Sequence, residues 1–408
     1  MTQAPNLCHA STEPSADSTE SPRVLLHVPS LYHESTELSA DSIESHPFLP
    51  FVFADSTYQV DQETAADGSM LCDVCDTLDG PAILDTKWCV EGRDADPLGT
   101  LGIADATGHV TLVDLVDRGS DTGLKFAQRA HWRMNGEGAL CLSLDWSAGR
   151  WRGGATGGAG MGGGTPEGDG GAAQHLHASV PPSPGPPASL IVSQSNGTLA
   201  TVPRLASDTD ASGAPRGLET WHAHDYEAWT VAWDCWSDAT VAWSGGDDLQ
   251  LKGWDLRTPI HDGSREPTFT CQKPFGGGVT ALESHPTREH YWAVGSYDEM
   301  LRLFDARHTR RPVSETPVGG GVWRAKWHPS CAPLLLLGCM HGGFKIVQCA
   351  GLQEGGTPTE APMDIVSQFD EHKSIAYGCD WERARPADAL VYSCSFYDAA
   401  LHIWNWMQ

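Results

Sequence analysis

The chain has 408 residues, and its 53 acidic side chains outnumber its 26 basic ones, which gives a net charge of −27. This balance disfavours nucleic acid and anionic membranes as partners, because both attract basic proteins. The sequence has no apolar run of about 18 residues and no secretory pattern at its start, so we predict a cytoplasmic protein without a membrane span.

The N-terminal region is polar, acidic and partly duplicated. STEPSADSTE begins at Ser11, and a near copy, STELSADSIE, begins at Ser35. We predict a disordered extension over 1–34 and a folded domain over 35–408. The segment at about 149–188 contains GGATGGAGMGGG and PPSPGPP. We predict that it is a disordered insertion, because such a Gly/Pro-rich composition cannot bury a core.

Short strands of alternating hydrophobicity recur along the rest of the chain. In most copies a first strand closes on Trp, as in EAWTVAWD, and a third strand ends in a motif such as GWDLR. Six copies begin near Pro81, Ala139, Trp221, Gly277, Gly319 and His372, and a weaker one is LPFVFADSTYQVDQ. A strand-only period of roughly 40 to 45 residues is typical of WD-repeat β-propellers. We predict an all-β propeller of seven blades, with six or eight also compatible, closed by an N-terminal strand.

The turn between the second and third strands differs among the copies. In WD repeats an Asp of this turn holds a His of the loop that enters the blade. Two copies keep the pair: His224 with Asp248, and His372 with Asp398. The two copies between them enter through FGGGVT and VGGGVW, without His, so Asp298 and His341 are predicted to lack this partner. We predict a site at these two turns, where glycines permit close backbone approach. The alternative is that His341 only caps its turn.

Aromatic residues are predicted to gather at the same end of the ring. Three precede the closing residue of a first strand by four positions, and two stand beside a turn Asp: Trp229, Trp323, Tyr377, Tyr297 and Tyr397. Trp and Tyr near carboxylates hold quaternary ammonium groups. We predict these five, together with Asp398, as substrate-binding residues, with ordinary propeller packing as the alternative for each.

Familiar catalytic signatures are absent from the sequence. It contains no GxSxG, HExxH or SxxK motif and no phosphate-binding loop. Its cysteines and histidines lack metal-ligand spacing, so we expect no metal and no other cofactor.

Several segments resemble the diphthine methylesterase family: SGGDDLQLKGWDLR, GSYDEMLRLFDAR, GGGVWRAKWHP, CMHGGFKI and CSFYDAALHIWNW. TELSADSIE, AILDTKW and LGIADATGHV extend the resemblance over about 35–408, except for the Gly/Pro-rich insertion. The family consists of WD-repeat proteins of diphthamide biosynthesis. The resemblance implies hydrolysis of a methyl ester on a modified histidine of elongation factor 2 that also carries a trimethylammonium group. It implies elongation factor 2 as protein substrate and other diphthamide-synthesis proteins as further partners.

The resemblance brings no agreed catalytic residues, so we assign them as a hypothesis. His341 is the predicted general base for a water molecule, with Asp298 beside the substrate cation. Arg324 is predicted to stabilise the oxyanion, together with N–H groups of Gly319–Gly321 or Gly342–Gly343.

Three alternatives stay open at this point. Cys339 is a possible nucleophile, although the alternation in LLLLGCMH also fits a core position. A second alternative is that the chain is a non-catalytic scaffold that binds elongation factor 2 or another diphthamide-pathway protein. A third reading is a protein that recognises methylated lysine through the same aromatic residues.

Overall fold

The structure is a computed structural model that describes residues 26–27, 30–35, 42–49, 52–55, 59–64, 70–89, 98–119, 123–134, 138–148, 188–202, 209, 213–331, 333–353 and 363–407. The first acidic repeat, from Ser11, lies outside these residues, as does the predicted insertion except for Ala188. Ala188 is buried in the core of the third sheet.

The described strands form seven sheets, and we number these blades in chain order. Blade 1 contains Ile43–Ser45, Val52–Asp55, Gln59–Thr64 and Met70–Asp76. Blade 2 contains Ile83–Cys89, Gly99–Asp105, His109–Asp117 and Leu124–Arg133. Blade 3 contains Cys141–Trp146, Leu190–Gln194, Thr198–Val202 and Glu219–His222. Blade 4 contains Thr230–Trp233, Val241–Gly245, Leu251–Asp255 and Phe269–Cys271.

The remaining blades include strands from the N-terminal region. Blade 5 contains Val279–Ser284, Tyr291–Ser296, Met300–Asp305 and Ser314–Pro317. Blade 6 contains Arg324–Trp327, Leu334–Gly338, Phe344–Cys349 and Met363–Phe369, with Leu26–His27 added parallel at its outer edge. Blade 7 contains Ala376–Trp381, Leu390–Ser395, Ala400–Asn405 and Ser30–Ser35. Two short 3-10 helices span Ala350–Leu352 and Pro386–Asp388. Neither helix in the described part is long and apolar enough to cross a membrane.

The first strands of the seven blades pack against one another in a closed ring. A repeated Trp at or near the end of five of these strands links its blade to the preceding one. Its indole N–H donates to a backbone carbonyl of the neighbouring first strand, at 2.9 Å from Trp146 to Lys87 and at 2.8 Å from Trp381 to Lys326. A buried indole needs such an acceptor, which explains why Trp recurs at this position. The predicted β-propeller is confirmed.

The ring closes through the N-terminal region. Ser30–Ser35 pairs antiparallel with Ala400–Asn405 and forms the outer strand of the last blade. The predicted closing strand is therefore present. It begins before the predicted domain boundary at residue 35, and this boundary is corrected to an earlier position. The folded domain includes this strand because its hydrogen bonds cover the edge of blade 7. Without it, the backbone groups of that edge would lack partners.

Candidate functional site

Four of the predicted aromatic side chains contact one another at one mouth of the central channel. We call Trp229, Tyr297, Trp323 and Tyr377 the aromatic rim. Ring centres are 5.8 Å apart for Trp229 and Trp323, 5.9 Å for Trp229 and Tyr297, and 6.0 Å for Tyr297 and Trp323. Tyr377 lies 5.0 Å from Trp323. All four side chains are half-buried. Cation–π attraction acts on a cation over a ring face within about 6 Å of the ring centre, and the spacing of the first three rings allows one cation to lie within that distance of all three centres.

Tyr397 reaches the aromatic rim only through a residue that the sequence analysis missed. The ring of Phe396 lies 5.6 Å from Tyr377 and 5.0 Å from Tyr397. Tyr397 itself is 73% exposed, so it extends outward from the rim. The signal for Phe396 was present in the turn sequence CSFYD, directly before the predicted Tyr397.

Arg324 lies inside the channel, one residue past Trp323 of the rim. Its guanidinium donates to the Leu84 carbonyl at 2.9 Å and lies 3.3 Å from the Asp85 carboxylate of blade 2. Burial alone raises the pKa of Asp85, but the charges of Arg324 and Lys87 outweigh it and hold this pKa well below its usual range. The adjoining cavity has a volume of about 30 Å³, enough for water but not for a substrate side chain. The predicted oxyanion role of Arg324 therefore competes with an existing ion pair.

A wider ionic network connects first strands of blades 1, 2 and 6 and was not predicted. Lys326 of blade 6 donates to Glu44 of blade 1, and Lys87 of blade 2 lies 3.4 Å from the same carboxylate. Burial raises the pKa of Glu44, yet the two lysines lower it to about 2. The network joins first strands that are distant in sequence, so no local pattern could have revealed it.

Among the described residues Asp298 has no His partner, as predicted, but another side chain, that of Arg302, binds it instead. Both of its oxygens accept hydrogen bonds from Arg302, at 2.9 and 2.7 Å, and the Gly276 N–H donates to it at 2.8 Å. Burial raises the pKa of Asp298, but the hydrogen bonds from Arg302, Ser296 and Gly276 outweigh this effect. The net pKa of Asp298 is below its usual value. Arg302 thus replaces the missing His of the WD repeat, and Asp298 fastens the turn.

His341 stands at the exposed tip of its turn. Within the described part of the chain, its ring has no hydrogen-bond or ion-pair partner. The backbone of this turn also differs from that of its siblings. A residue after the turn Asp has positive φ in blades 4, 5 and 7, namely Leu249, Glu299 and Ala399. In blade 6 the positive φ values are at Met340 and Gly343 instead. His341 therefore has the same sequence position as the Asp, but its turn has a different backbone conformation. No hydrogen bond of its ring to a described residue supports the interpretation that it caps the turn.

The glycines before blade 6 permit a close backbone contact, as predicted. A Cβ on Gly320 would lie 2.0 Å from the Cys339 carbonyl oxygen, and one on Gly342 would lie 2.7 Å from the Gly319 carbonyl oxygen. Gly342 and Gly343 donate their N–H groups to Cys339 and Met340 within the turn, so they are not available to an oxyanion. The N–H groups of Gly319–Gly321 have no acceptor within the described residues and remain candidates.

Cys339 is not suited to nucleophilic attack. Its side chain is fully buried in the core between blades 5 and 6, and burial raises the pKa of its thiol to about 12. A reactive cysteine needs a stabilised thiolate and access to substrate, and Cys339 has neither. Among the described residues, no group of three or more His, Cys, Asp or Glu side chains is arranged to hold a metal ion.

The two predicted His–Asp pairs behave differently. The His224 ring lies 2.9 Å from Asp248 and 2.7 Å from the Ser244 hydroxyl, as the WD pattern predicts. His372 instead contacts the Ser395 hydroxyl at 2.6 Å, and this hydroxyl donates to Asp398.

The second oxygen of Asp398 accepts the Lys373 N–H at 2.9 Å. Asp398 is therefore occupied in holding its turn, and its predicted substrate contact remains a prediction.

No protein-family model matches the chain. The chain is 36% identical over 306 residues to the human protein named diphthine methyltransferase, a match that covers 74% of this chain and 56% of the human protein. The chain is a homologue of the diphthine methyltransferases. A Dictyostelium discoideum diphthine methyltransferase homolog is 40% identical over 192 residues, which cover 45% of this chain and 51% of that protein.

The homology confirms the family resemblance seen in the sequence, but the match covers only part of the relatives' length. The chain spans about half the length of the diphthine methyltransferases that it matches. A chain in a crystal structure of the mitotic checkpoint complex superimposes with a TM-score of 0.58 at 16% identity, over 98% of both chains. At this identity the likeness shows the propeller fold alone.

Proposed function

We propose that this protein acts in diphthamide biosynthesis and hydrolyses the methyl ester of the methylated diphthine intermediate on elongation factor 2. The names of its relatives support the pathway. The observation that carries the proposal is the aromatic rim, three of whose rings lie within 6.0 Å of one another at the channel mouth. A trimethylammonium group is a ligand that such rings attract.

The turn that carries His341 borders this rim. The Met340 backbone pairs with Ala376, directly before Tyr377, through hydrogen bonds of 3.0 and 3.1 Å. A Cβ on Gly321 would lie 2.9 Å from the Met340 sulfur and 3.3 Å from the Tyr297 ring, so these residues adjoin. With the cation over the rim, the neighbouring ester lies toward this turn. His341 is the titratable side chain beside it that holds no structural bond.

The proposed reaction needs water as the only second reactant. His341 takes a proton from water as the water oxygen bonds to the ester carbonyl carbon. N–H groups of Gly319–Gly321 stabilise the tetrahedral oxyanion. The bond from this carbon to the methoxy oxygen then breaks, and His341 returns the proton to that oxygen. Methanol departs, and the carboxylic acid that remains on the substrate ionises. The chemistry differs from methyl transfer, the activity that the relatives' name states.

A binding role without catalysis is the second candidate. The exposed rings of Tyr226 and Tyr397, at 63% and 73%, favour it, because exposed aromatic residues mark surfaces that bind proteins. On this reading the same face binds elongation factor 2, and another protein performs the hydrolysis.

The test uses elongation factor 2 that carries the methyl-ester intermediate, with the full chain added in catalytic amounts. Intact mass spectrometry in oxygen-18 water follows the reaction. We expect the loss of one methyl group and the incorporation of one heavy oxygen into the product carboxylate. The His341→Ala variant should lose turnover but still bind the substrate, and the Trp323→Leu variant should lose binding.

Each other result has a definite meaning. A stable complex without mass change overturns the hydrolase and leaves the binding role. A gain of one methyl group by demethylated substrate in the presence of a methyl donor overturns hydrolysis in favour of methyl transfer. Tight binding of a trimethyl-lysine peptide, without binding of elongation factor 2, overturns both candidates.

A further inference from the structure

Asp247 is the acidic side chain in direct contact with the aromatic rim, and the sequence analysis did not select it. Its Oδ1 accepts a hydrogen bond of 3.0 Å from the Trp229 indole N–H. Its own N–H donates to the Glu227 carbonyl at 2.9 Å, which fixes the backbone. Gly278 makes room for the carboxylate, since a Cβ at that position would lie 2.6 Å from Oδ1.

The turn Asp is occupied in each of blades 4, 5 and 7. Asp248 is bound to His224, Asp298 to Arg302 on both oxygens, and Asp398 to Ser395 and the Lys373 N–H. Asp247 is exposed. In the described part of the chain, its second oxygen has neither a hydrogen-bond donor nor a cationic partner.

The register of the blades explains why an acid stands here. The residue directly before the turn Asp, or before His341, differs among four consecutive blades. These residues are Asp247, Tyr297, Met340 and Tyr397. Three of them supply apolar or aromatic surface, and the blade 4 residue supplies a negative charge beside a rim ring.

We infer that Asp247 is the carboxylate that makes the aromatic rim selective for a quaternary ammonium group over a neutral group of the same shape. Two effects combine. The carboxylate attracts the cation directly, and its hydrogen bond holds the Trp229 ring and increases electron density on the indole. Asp247 acts as a specificity-determining residue for the ligand class. The inference rests on the proposed function for its natural ligand, the trimethylammonium of the diphthine side chain.

The experiment measures binding of choline and of its tert-butyl analogue, in which carbon replaces nitrogen. NMR titration of the full chain follows the Trp229 indole signal, identified by its absence from a Trp229→Phe variant. In Asp247→Asn the amide oxygen still accepts from Trp229, but the charge is gone. We expect choline affinity to fall about fivefold to tenfold, the effect of one charge near the surface. Affinity for the neutral analogue should change less than twofold.

Glu299→Gln is the matched control, because Glu299 is an exposed acid on the next turn. This variant has the same net charge as Asp247→Asn. Choline affinity should fall less than twofold in this control. An equal fall in both variants, or an equal loss of both ligands in Asp247→Asn, overturns the inference, as does unchanged choline affinity.

The outcome is separable from that of the proposed function. Selective loss of choline in Asp247→Asn upholds the inference even when the wild-type chain removes no methyl group from elongation factor 2. Conversely, full ester turnover with an unchanged KM in Asp247→Asn upholds the hydrolase and overturns the inference. If both hold, Asp247→Asn raises KM and leaves kcat within about twofold, as expected for binding shared by ground and transition states.

Discussion

The turns of blades 5 and 6 both lack the usual His partner, and they are held in different ways. Neither blade has the His that normally binds the turn, and both enter through three glycines. In blade 5, Arg302 bonds Asp298 and also the Pro274 carbonyl of the entering loop. In blade 6, Lys345 at the same register reaches the Val318 carbonyl, but His341 stands exposed.

The difference separates a structural turn from one that is free for chemistry. A buried guanidinium needs a carboxylate, so Arg302 holds Asp298 in place. Lys345 needs only a carbonyl, and the blade 6 turn adopts another backbone conformation through Met340 and Gly343. Its fixed position comes from backbone packing against Gly320, which leaves the imidazole without a structural duty.

The largest expected effect comes from breaking the Asp298–Arg302 pair that holds the blade 5 turn. Asp298→Ala leaves the buried Arg302 charge with only the half-exposed Glu315 carboxylate, 3.4 Å away, so we expect the free energy of unfolding to fall by about 3 kcal/mol. His341→Ala removes no bond and should change it by less than about 0.5 kcal/mol. Urea unfolding of both variants measures the contrast. Equal losses would show that the two turns are fastened alike.

The second effect concerns turnover. His341→Ala should lower kcat on the methyl-ester form of elongation factor 2 by about 100-fold to 10,000-fold, the range of general acid–base catalysis. The intact-mass assay measures it, and the unfolding midpoint of the same variant should match that of the wild type. Unchanged kcat removes His341 from the mechanism.

A third effect tests whether backbone packing holds the blade 6 turn. Gly320→Ala places a methyl group against the Cys339 carbonyl and should cost about 1–3 kcal/mol. Gly276→Ala is a control in the blade 5 loop, where the nearest atom is 3.5 Å away, in ordinary contact. It should be nearly neutral in the same urea unfolding experiment. A tolerated Gly320→Ala would contradict the packing account.

The smallest effect is a difference in acid sensitivity. The folded-state pKa of Asp298 lies below its ordinary value of 3.8, so its stabilisation is present above that pH and is lost as pH falls below it. Asp298→Asn should therefore lose less stability than the wild type between about pH 5 and pH 3. His341→Ala keeps the Arg302 pair and should follow the wild type. Urea midpoints across this range provide the measurement.

Much of the site was predictable because it depends on register. The residue four positions before the closing Trp and the residue before the turn Asp recur in each blade, so Trp229, Trp323 and Tyr297 could be placed at one mouth. The same register correctly predicted that Asp298 lacks the His of the WD repeat, but it gave no indication that Arg302 binds the carboxylate instead. Arg302 is only four residues further on, but its reach back to the turn depends on side-chain packing that no repeat pattern specifies.

The sequence by itself determined the propeller, the closure by an N-terminal strand and the gathering of aromatic residues. These follow from strand periodicity and from the Trp by which five of the blades bind the preceding one. Only the tertiary structure decided which charges are occupied. Arg324 meets Asp85, Glu44 meets Lys326, and Asp247 meets Trp229 through contacts between different blades or between separate loops. Such contacts depend on how the ring brings distant segments together, and hydrophobic periodicity carries no information about them.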